Sequence, residues 1–171
     1  MQDFLSLAQA RWSCRSFSDE PISREELLPL LEAAAAAPTG HNYQPFHLWA
    51  ITSDEAVSVV RTLSRCHFGA PAFVLVGADS SHAWTRPYDG FNVGVTDASI
   101  VATHLMLAAW DQGLGTCWVA HFNAPAFKEA FPEMRPYELV ALFPVGHPAK
   151  DAAPLPLHEQ RASVDELTSW L

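Results

Sequence analysis

Arg11-Trp12-Ser13-Cys14-Arg15 and Pro38-Thr39-Gly40-His41-Asn42-Tyr43-Gln44-Pro45-Phe46 flank one predicted helix, and they direct the reading of everything around them. The first stretch packs two guanidinium groups and a hydroxyl into five residues. That set suits an oxyanion such as phosphate, because arginine stays charged at any working pH and can pair with two oxygens at once. In an extended segment Arg11, Ser13 and Arg15 share one side, with Trp12 and Cys14 on the other. The pattern is short, and an ordinary solvated basic surface fits it equally well. The second stretch is a Pro-bounded loop of hydrogen-bonding side chains, which suits a planar heterocycle. Alone it would read as a polar connector whose Asn42 and Gln44 satisfy backbone groups. The combination points to a phosphorylated aromatic cofactor.

Outward from these stretches the elements intermingle. Residues 3–10 read as a short helix leading into Arg11. Phe17–Ile22 is a turn, and Ser23 with Glu26 three positions on is a capping-box signature. The helix after it carries Leu27, Leu30, Leu31 and Ala34, should bend at Pro29, and is stopped by Pro38. Phe46–Thr52 is rich in aromatic and β-branched residues and predicts a strand. A helix capped by Asp54 and running to about Ser64 comes next, and then a buried strand over Phe73–Val76. Residues 80–95 read as a Pro- and Gly-containing loop. From Asp97 the pattern is apolar nearly all round, the mark of a helix buried on most sides, and it ends at Gly113. Strands over Thr116–Val119 and Leu139–Val145 bracket a helix from Ala124 to about Phe131. The tail from Ala149 reads as extended, closing on an amphipathic Val164–Leu171. The fold class is α+β or α/β.

Composition narrows the function. At 171 residues the chain fits one domain, residues 1–171, with a core of its own. Six Trp and ten Phe suggest a subunit interface or a cofactor pocket, where aromatic side chains are enriched. The formal net charge is −9, so no overall electrostatic footprint for nucleic acid or an anionic membrane exists. A phosphate site must then be a local basic pocket. Cys14, Cys66 and Cys117 form no C-x-x-C spacing, which argues against a disulfide framework or a thiolate zinc site. No H-x-x-x-H spacing supports a metal among the eight histidines. With no leader-like start and no transmembrane-length apolar run, the reading is a cytoplasmic protein.

Five motifs in order now become specific. They are Arg11 to Phe17 with Pro21-Ile22, and Ala37-Pro38-Thr39 through Asn42-x-Gln44-Pro45-Phe46. Asp97-Ala98-Ser99-Ile100 through Leu107-Ala108-Ala109, Gly113-Leu114-Gly115-Thr116-Cys117-Trp118, and Pro144-Val145-Gly146-His147-Pro148 complete the set. The chain resembles the nitroreductase family of FMN-dependent oxidoreductases. The resemblance implies an α+β three-layer sandwich, with a central, mostly antiparallel sheet flanked by helices. It also implies a domain-swapped-style homodimer with FMN at the interface and the tail from about 149 to 171 packed on the partner subunit. Arg11, Ser13 and Arg15, with Trp12 beside them, would hold the FMN phosphate, ribityl chain and pyrimidine edge. Pro38, Thr39, Asn42 and Gln44 would reach the flavin of the partner subunit. Trp118, Ala120 and His121 would lie along the isoalloxazine ring, with main-chain N–H groups near N5 and O4, where they stabilise developing negative charge. Arg161 would be the last phosphate ligand.

The implied reaction is ping-pong: NAD(P)H delivers hydride to flavin N5, and a nitroaromatic, quinone or similar conjugated acceptor then takes it. No obligatory catalytic side chain is implied, since the cofactor carries the electrons. The chain departs from the family pattern at three points. Glu159 stands where a second basic residue often precedes the last arginine. Leu63–Phe68 lacks the usual Asn and Lys, leaving Arg65 or His67 as substitutes. The inserted helices that cover the substrate pocket in larger members are missing. A flavin-sequestering protein without turnover, or a flavoenzyme of this fold with dehydrogenase or flavin-breakdown chemistry, are the alternatives.

Overall fold

In the computed structural model, which describes residues 3–171, Asp3 opens the first helix. Its carboxylate accepts the Leu5 and Ser6 N–H groups ahead of α1 (Phe4–Ala10). The capping box predicted at Ser23 is present. The Ser23 hydroxyl accepts the Glu26 N–H at 3.2 Å, and the Glu26 carboxylate accepts the Ser23 N–H at 2.9 Å. Helix α2 (Arg24–Ala35) then runs through Pro29 without interruption. Strand β1 (Phe46–Ile51) leads to α3 (Asp54–Leu63). The cap of α3 is Ser53, not Asp54: the Ser53 backbone is extended and its hydroxyl accepts the Ala56 N–H. Asp54 instead sits in the first turn, where its charge opposes the positive end of the helix dipole.

Strand β2 (Ala72–Ala78) is one of the two interior strands of the sheet and is buried along its whole length. Helix α4 (Gly94–Asp111) starts three residues before the predicted Asp97, because Asn92 Oδ1 accepts the Gly94 N–H at 3.0 Å and begins the helix there. After it come β3 (Gly115–Thr116), α5 (Ala124–Ala130) and β4 (Glu138–Gly146). The tail is less extended than its composition suggests. It holds a 3-10 turn at Pro156–Glu159 and a short helix, α6 (Val164–Leu167), opened by a Ser163–Glu166 capping box.

The sheet order is β1-β2-β4-β3, antiparallel throughout. Alternation along β2 divides the core in two. Val74, Val76 and Ala78 face α2 and α4 with Leu27, Leu30, Val101 and Leu105. Phe73 and Leu75 face α3 and α5 with Val60 and Phe127. Each of these large side chains is fully buried, worth roughly 1.5–3 kcal/mol apiece by removal of apolar surface from water. The result is a sheet covered by helices on both faces, the predicted three-layer α+β arrangement.

The predicted strand Thr116–Val119 is broken, and Pro144 gives the reason. Gly115 and Thr116 pair with Gly146 and Val145, and Val119 pairs with Leu142 in the same register. Between them Pro144, opposite Cys117, has no N–H to donate. The Thr116 hydroxyl partly compensates by donating to the Pro144 carbonyl at 2.8 Å. The ladder therefore lapses at Cys117 and Trp118 and resumes at Val119, where both bonds to Leu142 measure 3.0 Å.

Candidate active site

The open edge of β3 holds the first cluster. Ser13 bridges Thr116 in parallel, and the Cys14 N–H donates to the Thr116 carbonyl at 2.9 Å. This docking depends on Gly115, where a Cβ would stand 2.8 Å from the Cys14 sulfur and 2.9 Å from its Cβ. Cys14 is thereby turned inward and buried, while Arg11, Ser13 and Arg15 border a cavity of about 250 Å³. Trp12 was expected on the opposite side. Its indole instead borders the same cavity, packing edge-on to Trp110 with ring centres 6.2 Å apart.

Arg161 closes this cavity from the tail, so residues 146 to 150 positions apart in sequence converge on one spot. Among the described residues none of the three guanidinium groups has a carboxylate within 4.0 Å. The one hydrogen bond any of them makes is from Arg15 to the Ser13 carbonyl, at 3.0 Å. Three unpaired cations gathered in a chain of net charge −9 repel one another, and an anion is what relieves that repulsion. Glu159 borders a neighbouring groove with Ser6 and Gln9 and does not line the cavity. The polar residues missed from the sequence are His158 and Gln160, which line it with Leu155 and Leu157. Their proximity to Arg161 was the available signal.

Further along the same edge, backbone alternation decides which groups face outward. Thr116 turns its carbonyl to the edge and Val119 turns its groups to β4, so Trp118 and Ala120 present their N–H groups outward. The Trp118 ring itself packs on Phe143, with centres 5.4 Å apart, and belongs to the core. Exposed His121 lines a second cavity, of about 350 Å³, together with Arg65, Ser64 and Asn123. Of the two candidate substitutes in 63–68, Arg65 therefore reaches this cavity. His67 caps its own turn, its Nδ1 accepting the Gly69 N–H at 3.0 Å.

The second cluster is not joined to the first within one chain: neither Pro38, Thr39, Asn42 nor Gln44 lines the arginine cavity. The loop is strained. His41, Asn42 and Gln44 all adopt left-handed backbone angles, with φ of 52°, 57° and 52°. Several contacts hold it. The Gln44 N–H donates to the Thr39 hydroxyl at 3.0 Å, and the Gly40 N–H donates to Asp97 Oδ1 at 3.0 Å. Asp97 is only 3% exposed, and its Oδ2 has no partner among the described residues. The His41 ring lies between Tyr43 and Trp84, at 5.7 and 5.1 Å. Such a loop presents Asn42 and Gln44 to whatever approaches from outside, since both are exposed.

Two thiols flank the site. Burial raises the pKa of Cys14 and of Cys117 above the ordinary thiol value, which keeps both protonated and unreactive. Among the described residues no three His, Cys, Asp or Glu side chains are grouped to hold a metal ion. No helix among them is long and apolar enough to cross a membrane.

Comparison with known proteins gives this geometry a context. The nitroreductase family model matches residues 8–67 and 61–147. The crystal structure of a nitroreductase family protein from Clostridium difficile 630 has a TM-score of 0.90 at 34% identity, covering 99% of this chain and 98% of that one. An Archaeoglobus fulgidus protein, provisionally named NADH dehydrogenase/NAD(P)H nitroreductase, is 30% identical over 137 residues, 78% of this chain and 76% of its own. A Bacillus subtilis protein named FMN reductase (NAD(P)H) is 28% identical over 195 residues, 93% of this chain and 74% of its own. The motifs, the sheet order with its arginine-lined edge and these matches agree, and the chain belongs to the nitroreductase family.

Proposed function

We propose that this chain is an FMN-dependent NAD(P)H oxidoreductase that works as a homodimer and reduces nitroaromatics, quinones or similar conjugated acceptors. The observation that carries the reading is the convergence of Arg11, Arg15 and Arg161, without carboxylate partners, beside an edge of outward N–H groups. That donor set fits FMN: guanidinium groups for the phosphate, Ser13 for the ribityl end, and backbone donors for the ring. When bound, FMN supplies the hydride-carrying chemistry that no side chain here can provide.

The chain's own residues then bind and orient. Arg11, Arg15 and Arg161 would hold the phosphate end of the cofactor, and Trp12, which lines the same cavity, would pack beside it. The outward N–H groups of Trp118 and Ala120 would donate to the flavin ring, and Arg65 and His121, which share the second cavity, would lie within reach of its other end. Pro38, Thr39, Asn42 and Gln44 serve the partner's cofactor, which accounts for a strained, exposed loop that contributes nothing to the cavity of its own chain. Exposed apolar residues on α1 and the tail support the dimer, with Phe4 70% and Trp170 86% exposed in the single chain. The family pairing would cover them.

Anaerobic mixing of the FMN-loaded protein with NADH or NADPH tests the proposal. The flavin band should bleach, and a nitroaromatic or quinone should restore it. A band that persists with both nucleotides would refute reductase function and leave a flavin-binding protein.

A further inference from the structure

His158 lines the arginine cavity from the tail, three residues before Arg161. Of residues 153–171 it alone is half-buried, the rest being exposed. It sits on the 3-10 turn Pro156–Glu159, its own N–H donating to the Leu155 carbonyl at 2.8 Å, so the turn fixes its position. Its imidazole has no hydrogen-bond partner among the described residues and lines the cavity with Arg11, Arg15 and Arg161. Glu159, next in the chain, faces the adjoining groove.

Resting on the FMN reading above, we infer that His158 is a phosphate-binding residue whose imidazolium adds a fourth cation to the arginine cavity, so that FMN is held more tightly in mildly acidic than in mildly alkaline solution. Histidine changes charge between about pH 5 and 8, whereas the three guanidinium groups do not titrate there. The charged and titratable groups around it are few. The edge segment brings Arg11 and Arg15, the tail brings Arg161 and Glu159, and α1 brings only Ser6, Gln9 and Ala10 to the adjoining groove. A phosphate brings negative charge into the cavity, so a cationic imidazole there and a bound phosphate favour one another. Affinity gained this way is fully present at low pH and lost as pH rises through the value in the bound state.

The phosphate of FMN itself titrates near pH 6, so the pH dependence of one protein is ambiguous. A ratio removes that difficulty. Dissociation constants for FMN and riboflavin, measured by flavin fluorescence, give the preference for the phosphorylated form. This preference is compared between the native protein and His158→Gln at about pH 6 and about pH 8. The native preference should exceed that of His158→Gln about fivefold at the acid pH, less than a fully buried charge-assisted contact gives because the site is half-open, and match it at the alkaline one. His158→Lys should keep the acid-side preference at both pH values. Equal preferences in the native protein and His158→Gln at both pH values, with FMN still bound, would overturn the role of His158 and leave the FMN reading intact. Failure of the native protein to bind FMN at either pH would overturn both.

Discussion

Replacing Arg161 or Arg15 with alanine separates a binding cluster from a structural one. A hydrogen bond to a charged group is worth about 1.5–3 kcal/mol, and both residues are exposed, which places each near the lower figure. At about 1.4 kcal/mol per decade, FMN affinity should fall roughly tenfold for each substitution. Arg11 is half-buried and should cost somewhat more. The apoprotein should respond in the opposite sense. Among the described residues neither guanidinium group has a carboxylate partner, so its removal relieves repulsion and leaves stability within about 0.5 kcal/mol of the native value, or slightly above it. Calorimetric titration with FMN, a parallel titration with riboflavin and thermal melting of the apoprotein provide the three readings. Weaker FMN binding, unchanged riboflavin binding and an unchanged melt are expected. Unchanged FMN affinity with a melt lowered by several degrees would refute the assignment and make the arginines part of the fold.

Gly115→Ala should destabilise the protein by about 1–3 kcal/mol in urea unfolding, because its Cβ would overlap Cys14; a neutral result would mean the edge segment docks more loosely than described. Hydrogen bonds from Ser23, assisted by His147 at 3.0 Å, lower the pKa of Glu26. Its contribution is present above the ordinary carboxylate value and is lost as pH falls through the lowered one. Melting curves of Glu26→Gln should therefore converge with the native protein only in acid. Cys66, the least buried thiol, should react first with a thiol reagent, and Cys14 and Cys117 only on unfolding; three equally fast thiols would contradict the burial.

What could be read from sequence followed from local chemistry. Ser23 and Glu26 marked the start of α2 correctly because a capping box is a contact within four residues. The apolar runs of β2 and β4 were visible because burial on both faces admits little else. Non-local chemistry was not visible. The break in the Thr116–Val119 strand is set by Pro144, on another strand; the early start of α4 is instead a local feature that went unread, the Asn92 side chain accepting the Gly94 N–H. The left-handed angles of His41, Asn42 and Gln44 have no residue signature of the kind glycine gives, and Asp97 anchors that loop from 57 positions away. Arg11, Ser13, Arg15 and Arg161 could be named as a site through the family resemblance, and the structure gathers them around one cavity. His158 was not named: its place three residues before Arg161 was the one signal, and spacing alone assigns it no role.

The central claim is that this chain is built to hold FMN. The most direct test is a visible-absorbance titration of the purified apoprotein with FMN, followed by gel filtration to remove the free cofactor. A perturbed flavin spectrum that stays with the protein, saturating at one cofactor per chain, is the predicted result. A spectrum identical to free FMN, with all of the colour eluting apart from the protein, would contradict the account.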